Sequence, residues 1–484
     1  MIFTPVLASF LTALCCLFAG RSLRWVRGIS LTGAFIGFLC SVNVLFMVIQ
    51  SGPLRLQFGN WEKPFGIFFH IDLLGAVLLM ISSLLGLCGV IASLATLSPK
   101  TELRGYHPLY HFLILGVLGA FSTGDLFNLY VWFEVLLVSS FFLLTVLKKK
   151  NSFGGAFKYA VLSILSSFIF LIGIALVYSA GGSLDLTQLH ALYAGERSLT
   201  FQLGLASLAL AFLIKAGVFP FYFWLPASYP EGSTAVIAVF SGLLTKVGIY
   251  GLLRVLVPFG DLGSAEMQWA IYFMALFSMV LGVLGALSQD NIKGILSFHI
   301  ISQVGYIALG LSLGTELGIA AAIFYLIHHM VVKTNLFFTA AYIEQRGQGL
   351  QVSRLGGLWQ SETLLGVLFL FSALSLIGIP PLSGFWAKVF TVQAVLKRED
   401  YLGLLLCLGV SLFTLMSMLK IWLGAFFKPS GLPAVSPDFN RRRKWLYVPL
   451  VILNLWTVLV GLNANAILEY SKQMVVQVQD RGQK

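Results

Sequence analysis

The stretch FNLYVWFEVLL, residues 127–137, carries one acid, Glu134, in an otherwise apolar run. Four lysines sit in similar surroundings: Lys215, Lys246, Lys333 and Lys388. A charge at the centre of a hydrocarbon layer costs at least about 2.5–3.5 kcal/mol on insertion scales, so such groups pair with one another or face water. Burial favours the neutral form of an ionisable side chain and moves its titration by up to about 3–5 units towards neutral pH. A group poised there loads and releases protons. A Glu134–Lys215 pair would keep both groups charged when close and let one change protonation when separated. The static alternative is a buried ion pair that only staples two helices. In YLIHHMVVKTNLF, His329 and Lys333 stand at i, i+4 on one helix face, with Tyr325 one turn earlier. Imidazole titrates near neutrality, so His329 reads as a relay. His299, beside Ser297, Ser302 and Gln303, reads as a relay or as a satisfied packing residue.

The elements that hold these groups follow from composition. The chain has 484 residues, 58% hydrophobic and only 10% charged, with a mean hydropathy of +0.90. A soluble chain carries about a quarter charged residues. Apolar runs near the ~20 residues of a membrane-spanning helix recur throughout, too long for barrel strands. The chain therefore reads as an all-α polytopic membrane protein of about fourteen spans. They lie near 3–20, 28–50, 70–97, 108–122, 125–147, 153–179, 201–225, 233–257, 268–288, 294–312, 317–342, 362–397, 402–427 and 445–467. The formal charge of +12 sits mostly in short connections, RSLRWVR, KKK and RRRK, which reads as topology-setting charge and not as a nucleic-acid surface. Arg21, Arg24, Arg27, Lys148 to Lys150, Arg346, Arg354 and Arg441 to Lys444 would share the inner face, with both termini outside. The first segment lacks a basic n-region and reads as a retained span.

Two spans look interrupted. FLIKAGVFPFYFWLPASYP contains Gly217 and Pro220, and LIGIPPLSGFWAKVF contains Pro380, Pro381 and Gly384. Proline removes a helix hydrogen bond and clashes with the preceding turn. Broken helices at membrane depth are tolerated where they are buried in protein or line a hydrated cavity, and a pair of them marks transporters built from repeats. A plain kink is the alternative for either one alone.

Other polar residues have blander readings. Asp125 and Asp72 read as helix caps. Lys158 and Lys420 lie near span ends and read as snorkelling or functional. His107 and His111 read as interfacial or functional. The five cysteines, Cys15, Cys16, Cys40, Cys88 and Cys407, lack ligand spacing and read as small core residues. No ligand set for haem or iron–sulfur and no nucleotide motif is present, so no cofactor is expected.

The motifs GDLFNLYVWFE, LIKAGVFPFYFWLPASYPEGSTAV, SGLLTKVGIYGLLR, SQDNIKGILSFHIISQVGY, HHMVVKTNLFF and IGIPPLSGFWAK, in this order over about 70–425, resemble one family. It comprises the antiporter-like subunits shared by respiratory complex I, Mrp-type cation/proton antiporters and membrane-bound hydrogenases. The wording FNLYVWFEV is nearest the D-type Mrp subunits. The resemblance implies fourteen helices, with helices 1–3 in 1–107, two inverted five-helix repeats in 108–257 and 268–427, and a last helix and tail in 445–484. It matches Glu134 to the glutamate of the fifth helix, Lys215 to the lysine of the first broken helix, and Lys246 and Lys333 to the lysines of the eighth and eleventh. Lys388 matches the ionisable residue of the second broken helix, which is glutamate in one complex I paralogue. His329 matches a relay histidine, while the relay position one turn earlier is Tyr325 here, a departure from the pattern. Protons would enter by one half-channel, pass among Lys215, Lys246, His329 and Lys333, and leave near Lys388, driving sodium outward. The implied setting is a prokaryotic cytoplasmic membrane, with other antiporter subunits, lipid, protons and Na+ as partners. The chain would be part of a transporter and not an enzyme. A proton-pumping component of a redox complex is the rival reading, and a non-conducting scaffold is another.

Overall fold

Apolar runs of this length leave backbone polar groups without water, and a helix satisfies them within one segment. The computed structural model describes residues 2–20, 22–58, 66–146, 150–192, 197–260, 262–347, 349–429 and 437–479. A helix covers each segment expected from the sequence. The first six are α1 (Thr4–Phe18), α2 (Leu23–Ser51), α3 (Leu73–Thr96), α4 (His107–Ser122), α5 (Leu126–Thr145) and α6 (Lys150–Gly181). The seventh, α7, is broken into Leu199–Ala216 and Trp224–Ser228. Then come α8 (Thr234–Leu256), α9 (Ala265–Ser288), α10 (Ile292–Ser312) and α11 (Glu316–Gln345). The second broken helix, α12, comprises Thr363–Ile377 and Ser383–Lys397. It is followed by α13 (Tyr401–Ile421) and α14 (Lys444–Leu462). Among the described residues, eleven helices are long and apolar enough to cross a membrane, and Thr4–Phe18 and Thr363–Ile377 are shorter apolar helices. Arg21, Lys148 and Lys149 lie outside the described residues.

Elements beyond the expected spans include a hairpin and a last helix. Strands β1 (Leu54–Phe58) and β2 (Ile67–Ile71) pair antiparallel ahead of α3. After α14 the chain turns at Asn463 into α15 (Ala464–Gln479), an amphipathic helix that buries Leu468, Met474, Val475 and Val478. The expected tail thus contains a helix over Ala464–Gln479. Its Gln477 side chain accepts a hydrogen bond from the Leu73 amide at 2.9 Å, tying α15 to the start of α3.

Six of the helices that begin at the hairpin end are capped by side chains. Asp72, Asp125, Ser198, Ser264, Thr315 and Asp400 each accept a backbone N–H at the start of α3, α5, α7, α9, α11 and α13. These short polar residues supply the acceptor that the first turn lacks, and they fix where each apolar run becomes helix. The chain thus alternates direction from helix to helix.

Burial sorts the helices into a centre and a rim. Every residue of α8 is buried, and so is nearly all of α10 and α11. In contrast, α2 exposes Phe35, Ile36, Leu39 and Phe46, and α13 exposes Leu405, Leu408, Leu412 and Met416. Large side chains outside and polar ones inside are what a lipid-facing rim requires.

One ion pair anchors the hairpin end of the centre. The Arg254 guanidinium on α8 is fully buried and grips the Asp72 carboxylate through both nitrogens, one contact being 2.5 Å. Arg254 also lies 4.8 Å from the Tyr250 ring, whose hydroxyl donates to the Phe121 carbonyl at 3.1 Å. Asp72 is thus both the α3 cap and a counter-ion. Removing one partner of such a pair strands a buried charge at a cost of about 3–5 kcal/mol. Arg254→Ala is expected to lower the thermal unfolding midpoint of the detergent-solubilised chain strongly. The double replacement Asp72→Leu with Arg254→Met should recover most of the loss; equal loss in both would show that the charges themselves are not what matters.

Candidate functional site

The first break places a lysine beside a carboxylate. The first half of α7 ends at Gly217, whose φ of 71° is the left-handed conformation glycine adopts without a steric cost. Lys215 therefore sits in the last turn. Pro220 follows in the connecting turn, and the Phe219 amide, outside any helix, donates to Ser278 Oγ at 2.8 Å. Trp224 Nε1 donates at 3.2 Å to the Ile214 carbonyl, which also accepts the Gly217 amide at 3.1 Å. Lys215 Nζ donates to the Ser163 carbonyl at 3.2 Å and to Ser167 Oγ at 3.3 Å. Ser167 Oγ in turn donates to Glu134 Oε1. The expected Glu134–Lys215 pair is thus present as a serine-bridged pair and not as a direct ion pair. Lys215 lines a cavity of about 10 Å³ with Phe133, Tyr159, Ser163, Trp224 and Leu244, which is room for about one water.

The centre holds the densest group. Lys246 on α8 and Lys333 and His329 on α11 are fully buried and interact electrostatically with one another. Lys246 Nζ donates to the Ser241 carbonyl on its own helix. Lys333 Nζ, both ring nitrogens of His329 and Thr245 Oγ1 have no protein partner among the described residues.

The second break is built differently. The first half of α12 ends at Gly378, a residue not singled out in the sequence, which has a φ of 95°, the left-handed conformation. Pro380 and Pro381 fill the turn. Gly384 lies in the second half, where a Cβ would strike the Ser375 carbonyl; it is glycine for close packing. Lys388 Nζ donates to the freed Ile377 carbonyl at 2.7 Å and lies 5.3 Å from the Tyr306 ring. His299 bonds Ser417 Oγ at 2.5 Å through Nε2 and interacts with both Lys333 and Lys388. His328, not singled out in the sequence, bonds Ser383 Oγ at 2.8 Å on the second half of α12 and faces Lys388. Tyr325 donates to Gln303 Oε1 at 2.5 Å and stacks on Tyr306, with ring centroids 5.3 Å apart. His299 Nδ1, His328 Nε2 and Gln303 Nε2 lack a protein partner among the described residues.

Ser167 and His328 are the residues sequence reasoning missed. The SILSSF context hides Ser167 among serines that bond their own helix. His328 is adjacent to His329, and its partner Ser383 is 55 positions away.

Several expected residues stand apart from this line. Asp125 caps α5 through the Asn128 amide at 2.7 Å. Burial, with Asp185 nearby, pushes its carboxyl up to about 6. Lys158 is exposed on α6 beside Phe157. Lys420 donates to the Leu287 and Gln289 carbonyls at 3.0 and 2.6 Å, closing the end of α9. His107 and His111 are buried at the end opposite the hairpin and share the Ser30 hydroxyl at 2.9 and 2.8 Å. His107 also bonds Glu102 at 3.1 Å, and Arg27 grips Glu102 at 2.5 and 2.8 Å. Burial works against the charge on Glu102, but Arg27 and His107 hold its carboxyl below the usual carboxylate range. Among the described residues, no three His, Cys, Asp or Glu side chains converge as a metal site would require.

Residues 123–414 match the family model described as NADH:quinone oxidoreductase/Mrp antiporter, transmembrane. The chain is 38% identical over 459 residues to the D-type Na(+)/H(+) antiporter subunit of Alkalihalophilus pseudofirmus, covering 94% of this chain and 92% of that protein. It is 34% identical to the D-type Na(+)/H(+) antiporter subunit of Bacillus subtilis, over 97% of this chain and 95% of the other. A chain of the Mrp complex from a Dietzia species superposes with a TM-score of 0.91 at 31% identity, over 99% of this chain and 97% of that one. A chain of Thermus thermophilus respiratory complex I superposes with a TM-score of 0.77 at 25% identity, over 96% of this chain and 98% of that one. With its two broken helices, central lysines and match across most of its length, the chain belongs to the NADH:quinone oxidoreductase/Mrp antiporter transmembrane family.

Proposed function

We propose that this chain is the proton-translocating subunit of a multisubunit monovalent cation (Na+)/proton antiporter. One observation carries the reading. Glu134, Lys215, Lys246, His329, Lys333, His299 and Lys388 run between the two breaks, and several of their polar atoms have no protein partner among the described residues. A buried donor left unmade costs about 1–3 kcal/mol, so water completes them. Hydrated ionisable groups in series conduct protons. The serine bridge between Glu134 and Lys215 supports a gate in which the lysine is charged while the glutamate is near and discharges when they part. One charge crossing about 100 mV exchanges about 2.3 kcal/mol, similar to a lysine pKa shift of between about one and two units. The driving force and the tuning are thus of matching size.

The relatives' names favour the antiporter over a redox complex as the assembly, and the other components of that complex are then its partners. The redox complexes remain the second reading, favoured by the likeness to complex I; there the chain would conduct protons without redox chemistry of its own. We take 108–257 and 268–427 as inverted repeats, each with a broken helix, and put the hairpin end outside. The exposed basic residues at the opposite end, Arg24 and Lys428 among them, support that orientation.

Fluorescence-based antiport in inverted vesicles carrying the full operon tests the reading. Lys215→Ala or Glu134→Ala, with assembly intact, should abolish cation-dependent proton transport, and an unchanged rate would make the chain a scaffold. Ser167→Ala removes only the bridge. Hydrogen bonds to charged groups are worth about 1.5–3 kcal/mol, so transport should fall by about tenfold or more, whereas Ser167→Thr should keep most of it. A wild-type rate in Ser167→Ala would mean that Glu134 and Lys215 do not communicate through this hydroxyl.

A further inference from the structure

The line of ionisable groups ends at Lys388, which is still buried. What lies beyond it leads towards the hairpin end. The Tyr306 ring that faces Lys388 carries its hydroxyl to α13, donating to the Cys407 carbonyl at 2.5 Å and lying 3.0 Å from Ser411 Oγ. On α13 the buried face runs through Val410, Cys407 and Gly403. Seven residues back from Cys407, about 10 Å at the helical rise, is Asp400. Its carboxylate accepts the Tyr272 hydroxyl on both oxygens, at 2.8 Å each, and accepts the Gly403 amide at 2.8 Å. Asp400 and Tyr272 line a cavity of about 360 Å³ at the hairpin end, room for roughly ten waters. Around the carboxylate stand Tyr272 and Gln268 from α9, Arg398 and Glu399 from the α12–α13 turn, and Cys407 below it on α13. Gln268 and Arg398 are turned to the last carbonyls of α10, Ser312 and Leu313, at 2.8 Å each. Tyr272 is therefore the side chain bonded to the carboxylate.

We propose that Asp400, held by Tyr272, is the terminal proton acceptor of the path at the hairpin end, and that the cavity beside it is the mouth. A proton leaves the Lys388 ammonium, travels past the Tyr306 and Ser411 hydroxyls by way of water, and converts the Asp400 carboxylate to the acid. The acid then gives it to water in the cavity, restoring the carboxylate. The reverse sequence serves uptake. Tyr272 donates to the carboxylate and so fixes its place at the cavity. The inference rests on the proton-conducting role assigned to this chain.

The capping role of Asp400 is separable from this one, because asparagine caps a helix as well as aspartate does but holds no proton. In the assembled complex, with co-purification of its components as the check on assembly, Asp400→Asn should cut transport at least tenfold. Asp400→Glu should restore it to within about threefold. Tyr272→Phe removes the hydroxyl on the carboxylate while the Gly403 amide still takes the cap, and it should lower transport by about tenfold with assembly and unfolding midpoint unchanged. A wild-type rate in Asp400→Asn, together with an inactive Lys388→Ala, overturns the exit at Asp400 alone. Wild-type rates in both Lys388→Ala and Lys215→Ala overturn the conducting role and this inference with it.

Discussion

A polar group in hydrocarbon needs a partner, and the two helix breaks follow from that requirement. Interrupting a helix frees carbonyls that nothing in lipid can bond. At the first break the Gly217 amide and Trp224 together answer the Ile214 carbonyl, and at the second Lys388 answers that of Ile377. The second case joins structure to function, since one ammonium both closes the end of a half-helix and stands in the line of ionisable groups. A lysine there cannot give up its proton without weakening the bond that completes the helix end, so the protonation state and the comfort of the break are linked.

The two breaks are not equivalent electrostatically. Lys215 has Glu134 within one serine of it. Lys388 pairs with no carboxylate among the described residues; its surroundings are an aromatic ring, a carbonyl and two histidines. The first break therefore has a built-in counter-charge and the second does not. Between them Lys246, His329 and Lys333 crowd like-charge-forming groups into one buried volume, where repulsion keeps them from all carrying a proton together.

The sequence made the cost of burial easy to see and the means of relief hard. Glu134 and Lys333 stand out because their type contradicts their surroundings, and Asp125 because its place before an apolar run is that of a cap. Gly217 and Pro220 announce a break by backbone chemistry alone. Ser167, by contrast, looks like other small helical serines, and its importance comes from the meeting of α5, α6 and α7. Gly384 groups with the prolines of the second break in the sequence, yet Gly378 holds the left-handed conformation there. A short sequence with two glycines does not say which one turns and which one packs. Arg254 hides at the end of a motif, and only its distant partner Asp72 makes its burial tolerable. The α15 stretch is too polar overall to read as a span, and only the helical spacing of Leu468, Ser471, Met474, Val475 and Val478 marks its buried face.

The close seating of Gly384 against Ser375, with Gly461 of α14 pressed on the Pro381 carbonyl, interlocks the second break like a dovetail joint. Such a joint leaves no slack for one half-helix to slide or swing past the other. A carrier of sugars or amino acids has to open a chamber the size of its cargo, and joints of that kind must give. Here the traveller has no volume of its own, so at this break a rigid frame around rearranging water is sufficient, and the parting of Glu134 from Lys215 is left to the first break.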